Sequence, residues 1–124
     1  MPVAHAFVVD DEEIVRTSLG KLLRVIGIAS TAFASAEAFL DGYRGDEDGC
    51  LIVDLRMPGM NGLDLLEALQ RRGSALPAIV ISGHADEGTL RRLTGLQAVG
   101  LLEKPYSLAQ LREMLARCDA PQAG

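Results

Sequence analysis

Four short apolar runs in this chain each end on a polar or charged residue: Ala6 to Val9 before Asp10, Cys50 to Val53 before Asp54, Ala78 to Ile81 before Ser82, and Val99 to Glu103 before Lys104. Between them lie longer stretches whose leucines recur at helical spacing. Strands that are apolar throughout are buried on both faces, which requires a parallel sheet covered by helices on each side. At 124 residues the chain has room for one such core.

The intervening stretches carry their own punctuation. Val15, Leu19, Leu22 and Ile26 recur at i, i+4, i+7 and i+11, an amphipathic helix that Gly27 stops. A weak second strand, Ile28 to Phe33, leads to Ser35 as the N-cap of a short helix that turns Phe39, Leu40 and Tyr43 inward. The turn Arg56 to Gly62 precedes a third helix, Leu63 to Arg72, with Leu66 and Leu69 inside and Gly73 as its stop. A fourth helix, about Asp86 to Leu96, contains Gly88 and Gly95, each costing about 1 kcal/mol relative to alanine. Ser107 and Gln110 form a capping box for a last helix carrying Leu108, Leu111 and Leu115. Five strands alternating with five helices predict a doubly wound α/β sheet. Residues 1–118 form the domain, and 119–124 read as a flexible tail or the start of a linker.

Charge narrows the function. Seventeen acidic against twelve basic side chains give a net charge of -5, the wrong sign for a nucleic-acid backbone. No apolar run is long enough to span a membrane, and MPVAHAF lacks the pattern of a signal peptide, so the cytoplasm is the expected compartment. Cys50 and Cys118 make no metal spacing; Cys50, opening an apolar run, reads as a buried, reduced thiol, and Cys118 stands at the junction with the tail.

In an open parallel sheet ligands bind outside the carboxyl ends of the strands. There the sequence places Asp10, Asp11, Asp54, Ser82 and Lys104. Three converging carboxylates repel one another unless protonated or bridged by a cation. Few protein ligands with several retained waters suit Mg²⁺ better than Ca²⁺. Metal, ammonium and hydroxyl can each hold one equatorial oxygen of a phosphoryl group while Asp54, ending the most buried strand, attacks in line. Taken singly, the residues have duller readings: Asp10 and Asp11 could cap the first helix, and His84, Met57 and Met60 could be ordinary loop residues.

At these residues the chain resembles the receiver domains of bacterial two-component response regulators. The resemblance rests on VVDDE (residues 8–12), IVDLRMPGMNGLDLL (52–66), ISGHAD (81–86) and LEKPYS (102–107), in order and at the family's separations. SAEAFL, DLRMPGMNG, SGHAD and EKP resemble the FixJ-type nitrogen-fixation regulators most. The resemblance implies a flavodoxin-like (βα)5 sheet in strand order 2-1-3-4-5. It implies that Asp54 accepts phosphate from a phosphohistidine, with Mg²⁺ (or Mn²⁺) held by Asp10, Asp11, Asp54 and the Arg56 carbonyl. Ser82 corresponds to the switch hydroxyl and Lys104 to the lysine that contacts phosphate. Pro105 corresponds to a cis proline, Gly83 to the small residue beside the switch, and Arg56 and His84 to positions that influence phosphate lifetime. The expected activity is self-phosphotransfer and autodephosphorylation only. The expected partners are a sensor histidine kinase or phosphotransfer protein, a phosphorylation-dependent second copy, and a C-terminal DNA-binding output domain outside this chain.

The chain departs from the family pattern at two places. Leu101 stands where an aromatic normally swings inward, and Leu96, Gln97 and Ala98 replace an Ala-Gly-Ala-like turn. The expected readout is therefore repacking of the fourth helix and fifth strand without a flipping ring. Two rival readings are a phosphatase with an aspartyl nucleophile, which would carry a second acid where Arg56 stands, and a receiver-like module that never accepts phosphate. A nucleotide or flavin site lacks a Gly-rich loop after the first strand.

Overall fold

The computed structural model describes residues 5–45, 49–74, 76–84, 86–96 and 98–119. Five strands, β1 (His5–Val9), β2 (Ala29–Phe33), β3 (Cys50–Asp54), β4 (Ala78–Ser82) and β5 (Ala98–Glu103), form one parallel sheet. Its order is β2-β1-β3-β4-β5, the doubly wound arrangement expected. The helices are α1 (Glu13–Ile26), α2 (Ala36–Gly42), α3 (Gly62–Arg71), α4 (Glu87–Thr94) and α5 (Leu108–Asp119).

Alternation along the strands divides the core. Phe7, Val9, Leu51, Val53 and Val80 join Phe39, Leu65 and Leu69 in one cluster. Ala6, Val8, Ile52, Ile79 and Ile81 join Leu19, Leu23, Leu111 and Leu115 in the other. Every residue of β3 and β4 is buried, so both strands contribute to both clusters. Each large apolar side chain so enclosed stabilises the fold by about 1.5–3 kcal/mol relative to exposure. Cys50 and Cys118 are buried free thiols of the second cluster, and Met57 and Met60 pack against the first.

Local signals act as read, with adjustments. Gly27 ends α1 in the left-handed region at φ 97°. Leu19 and Leu23 are the fully buried pair of α1, while Val15, Leu22 and Ile26 flank them half-buried. The buried stripe is thus centred one residue away from the predicted one, on an i, i+4 pair. Ile28 belongs to the turn before β2, its N–H bonded to the Leu23 carbonyl. Ser35 Oγ caps α2 by accepting from Ala38 N. Asn61 and Asp64 form a reciprocal capping box on α3. Ser107 and Gln110 do the same before α5. Asp86 caps α4 and Gly95 closes it, so this helix is shorter than its pattern suggested. Asp119, expected in the tail, is the last residue of α5, and 120–124 lie outside the described residues. No helix among the described residues is long and apolar enough to cross a membrane.

Candidate functional site

The parallel strands end together, and this brings the predicted polar residues to one rim. Asp10 follows β1, Asp54 and Ser82 close β3 and β4, and Lys104 follows β5. Asp10, Asp54 and Ser82 are buried to 3%, 8% and 2% exposure, an expensive placement for two carboxylates unless their charge is compensated.

Asp54 is compensated on both oxygens. Its Oδ1 accepts from Arg56 N at 2.8 Å, and its Oδ2 lies 3.2 Å from Lys104 Nζ. The main chain at Lys104 is pinned in turn, its N–H donating to the Ser82 carbonyl at 2.8 Å, and the Lys104–Pro105 peptide bond is cis. Burial lowers the ammonium's proton affinity. The hydrogen bond and charge of Asp54, then the charges of Asp10 and Glu12, outweigh it, so Lys104 is held above its usual range.

Asp10 is less well served. Its Oδ1 accepts from Glu12 N at 2.9 Å, and its carbonyl accepts from Arg16 Nη1 at 2.8 Å. Burial, with Asp54 beside it, outweighs the Glu12 hydrogen bond and the Lys104 charge and raises its carboxyl to about 6. The carboxylates of Asp10, Asp11 and Glu12 offer oxygens that all lie within 4.8 Å of one another. Neither aspartate is the N-cap of α1: Glu12 occupies that position, its own side chain makes no capping hydrogen bond, and its N–H is taken by Asp10 Oδ1. A crowded oxygen-only donor set containing an acid displaced toward neutrality fits a hard divalent cation, whose charge would favour the ionised form. Among the predicted metal ligands, Asp10 and Asp11 stand in this trio, Asp54 adjoins Asp10, and the main chain of Arg56 is bonded to Asp54.

The remaining predicted residues surround this centre. Ser82 Oγ accepts from His84 N at 3.0 Å, so this hydroxyl is tied into its own loop. Arg56 and His84 are exposed and line a cleft shared with Met57, Asp86 and Thr89. An added Cβ at Gly83 meets nothing within 4 Å, so the fold itself does not require glycine there. Leu101 is partly buried against the first cluster, and Gln97 of the departing turn lies outside the described residues.

Three contributors were not singled out from sequence. Glu12 completes the acidic trio, for which adjacency in VVDDE was an available signal. Gly62 packs beneath Asp54: a Cβ there would come within 2.7 Å of the Asp54 carbonyl oxygen, and its N–H donates to Leu55 O. Arg92 of α4 reaches Glu67 at 3.0 Å and Asp64 at 3.8 Å on α3, pairs with no local sequence signature.

Comparison with known proteins agrees with this geometry. Residues 6–116 match the family described as response regulator receiver domain. The chain is 38% identical over 111 residues to the transcriptional regulatory protein FixJ of Bradyrhizobium diazoefficiens, covering 90% of this chain and 54% of that protein. It is 41% identical over 114 residues to FixJ of Azorhizobium caulinodans, covering 89% and 54%. The crystal structure of FixJ-N superposes with a TM-score of 0.88 at 37% identity, covering 99% of both chains. The chain spans about half the length of the curated relatives it matches. With the strand order, the acidic trio and the Asp54–Lys104 pair in place, the chain belongs to the response regulator receiver domains of two-component systems and is FixJ-like within them.

Proposed function

We propose that this receiver accepts a phosphoryl group on Asp54 from the phosphohistidine of a sensor kinase or phosphotransfer protein in the cytoplasm. The observation that carries this reading is the state of Asp54: buried, held through Oδ1 by Arg56 N, and facing the Lys104 ammonium through Oδ2. A carboxylate fixed in this way is a positioned nucleophile. A carboxylate oxygen forms the new O–P bond as the P–N bond to the donor imidazole breaks, and the imidazole keeps the bonding pair.

Asp10 and Asp11, with Asp54 and the Arg56 carbonyl, would hold Mg²⁺ or Mn²⁺, which supplies charge neutralisation at the phosphoryl oxygens. Lys104 then exchanges its bond to Asp54 for one to a phosphoryl oxygen. Ser82 gives up the His84 N–H and turns its own hydroxyl proton toward another. Arg56 and His84 flank the path of water to the acyl phosphate and set its lifetime. Pro105 and Gly83 shape the two loops that carry Lys104 and the switch hydroxyl.

The added charge of about -1.5 to -2 biases a two-state surface. That surface is α4 with β5. Leu93 is the buried side chain of α4, and Leu101 repacks there without an aromatic flip. The modified form pairs with a second copy and controls a DNA-binding output domain of the kind FixJ-type regulators carry. Intact mass after incubation with a small phosphodonor and Mg²⁺ tests the central step. One base-labile phosphoryl group, absent in Asp54→Asn and without Mg²⁺, is expected; no gain by the wild type in the presence of Mg²⁺ would leave a phosphate-independent interaction module.

A further inference from the structure

A basic groove interrupts the acidic character of this chain at the edge of the sheet, beside β2. Among the described residues β2 pairs with β1 alone and ends the sheet. The Phe33 carbonyl accepts from Asp10 N, so the main-chain groups of Phe33 point toward β1. Strand alternation then turns the N–H and C=O of Ser30 and Ala32 outward. Ala29, Ser30, Thr31 and Ala32 are all exposed, and the strand carries none of the charges, prolines or bulges that usually blunt an edge.

On the α1 side this edge opens into a groove whose floor is made of small residues, Gly20, Ser30 and Ala32. Its rim is cationic, formed by Arg16, Lys21 and Arg24, and among the described residues no carboxylate lines it, in a chain of net charge -5. Arg16 is engaged with the Asp10 carbonyl, whereas Lys21 and Arg24 are exposed and make no ion pair among the described residues. On the opposite face Thr31 Oγ1 is 2.8 Å from His5 Nε2, so that side of the strand is already occupied.

We infer that the β2 edge and its basic groove form a docking surface for an extended acidic segment of a partner protein, which adds as a sixth strand. The backbone of Ser30 and Ala32 would supply the ladder, and Lys21 and Arg24 would pair with acidic side chains on alternate positions of the incoming strand. A second copy of this chain is the poorer occupant. Two β2 edges paired about a twofold axis would bring two cationic rims side by side, and like charges opposed across an interface are costly. The docking residues Lys21, Arg24, Ser30 and Ala32 are distinct from Asp10, Asp11, Asp54, Ser82 and Lys104.

The test uses the whole chain, isotope-labelled for NMR, titrated at low salt with a synthetic peptide of alternating Glu and Thr. The expected result is perturbation and slowed exchange of the Ser30 and Ala32 amides. Affinity should fall about five-fold in Ala32→Pro, which removes one outward donor and none of the β1–β2 bonds. It should fall about ten-fold in Lys21→Glu/Arg24→Glu, a variant that does not alter the strand. A matched peptide with Lys in place of Glu should not bind. Absence of perturbation at these two amides overturns the proposal, as does binding that survives the Lys21/Arg24 double variant. Self-association of the wild type through β2 without peptide overturns the choice of occupant.

Discussion

The ammonium of Lys104 meets the carboxylate of Asp54 at 3.2 Å across the strand ends, although fifty residues separate them in the chain. Asp54 is nearly enclosed, whereas the Lys104 side chain is 37% exposed, so solvent screens the pair from one side only. Because the raised proton affinity belongs to a lysine, the stabilisation is fully present below the unfolded-state pKa and is lost as pH rises through the folded one. Lys104→Gln is therefore expected to lower unfolding stability by about 1 kcal/mol at neutral pH. Urea melts should show the difference from wild type closing in the alkaline range.

At Asp10 it is the neutral form that the fold favours. Its carboxyl is raised from 3.8 to about 6, so the folded protein binds more protons than the unfolded chain between those values. Ionised Asp10 thus costs stability at pH 7, and the cost is relieved as pH falls through 6 toward 4. In metal-free buffer Asp10→Asn should be more stable than wild type at pH 7, by at most about 3 kcal/mol for a shift of this size. The advantage should shrink steadily by pH 4. Thermal melts of both proteins at pH 4, 5.5 and 7 provide the comparison.

Divalent cation should reverse that balance. Mg²⁺ at 100 times its Kd is expected to stabilise the fold by about 2.7 kcal/mol, because the unfolded chain does not preserve the acidic trio. Asp10→Asn and Asp11→Asn should abolish the increment. Glu12→Gln should reduce it only in part, since Glu12 is exposed and stands outside the predicted ligand set. Melting curves over a Mg²⁺ series measure this directly.

Two glycines near the site should respond differently to one added methyl group. In Gly62→Ala the new Cβ would sit 2.7 Å from the Asp54 carbonyl oxygen and 3.1 Å from Leu55 Cα, both backbone atoms. Relieving that overlap is expected to cost about 1–3 kcal/mol and to displace Asp54. Gly83→Ala meets open space and should change stability by less than about 0.5 kcal/mol. Urea unfolding with phosphodonor labelling of each variant separates the stability effect from the site effect.

The fourth helix should prove the easiest to loosen. It is fastened to α3 by Arg92 on Glu67 and Asp64, and by Gln70 Nε2 on the Gly95 carbonyl at 3.4 Å. These partners are all partly exposed, so each pair is worth about 0.2–1 kcal/mol. Glu67→Gln should speed amide exchange in residues 87–95 about two- to five-fold and leave α1 and α5 unchanged, as hydrogen-exchange mass spectrometry would show.

The alternation of apolar runs and helical stretches determined the doubly wound fold, because period and punctuation are local properties of the chain. Cys50–Asp54 and Ala78–Ser82 were legible residue for residue: both are bounded by turn chemistry and apolar up to their last residue. Their carboxyl ends, and hence the rim carrying Asp10, Asp54, Ser82 and Lys104, followed from the rule for parallel sheets. Tertiary structure alone decided which groups on that rim meet. It paired Asp54 with Lys104, set Asp10 beside Asp54, and laid Gly62 against the Asp54 backbone. It also centred α1 on Leu19 and Leu23 and cut α4 back to Glu87–Thr94. These outcomes depend on Å-scale distances between segments remote in sequence. Hydrophobic periodicity specifies which face of an element is buried, but not which atoms of its neighbours that face will touch.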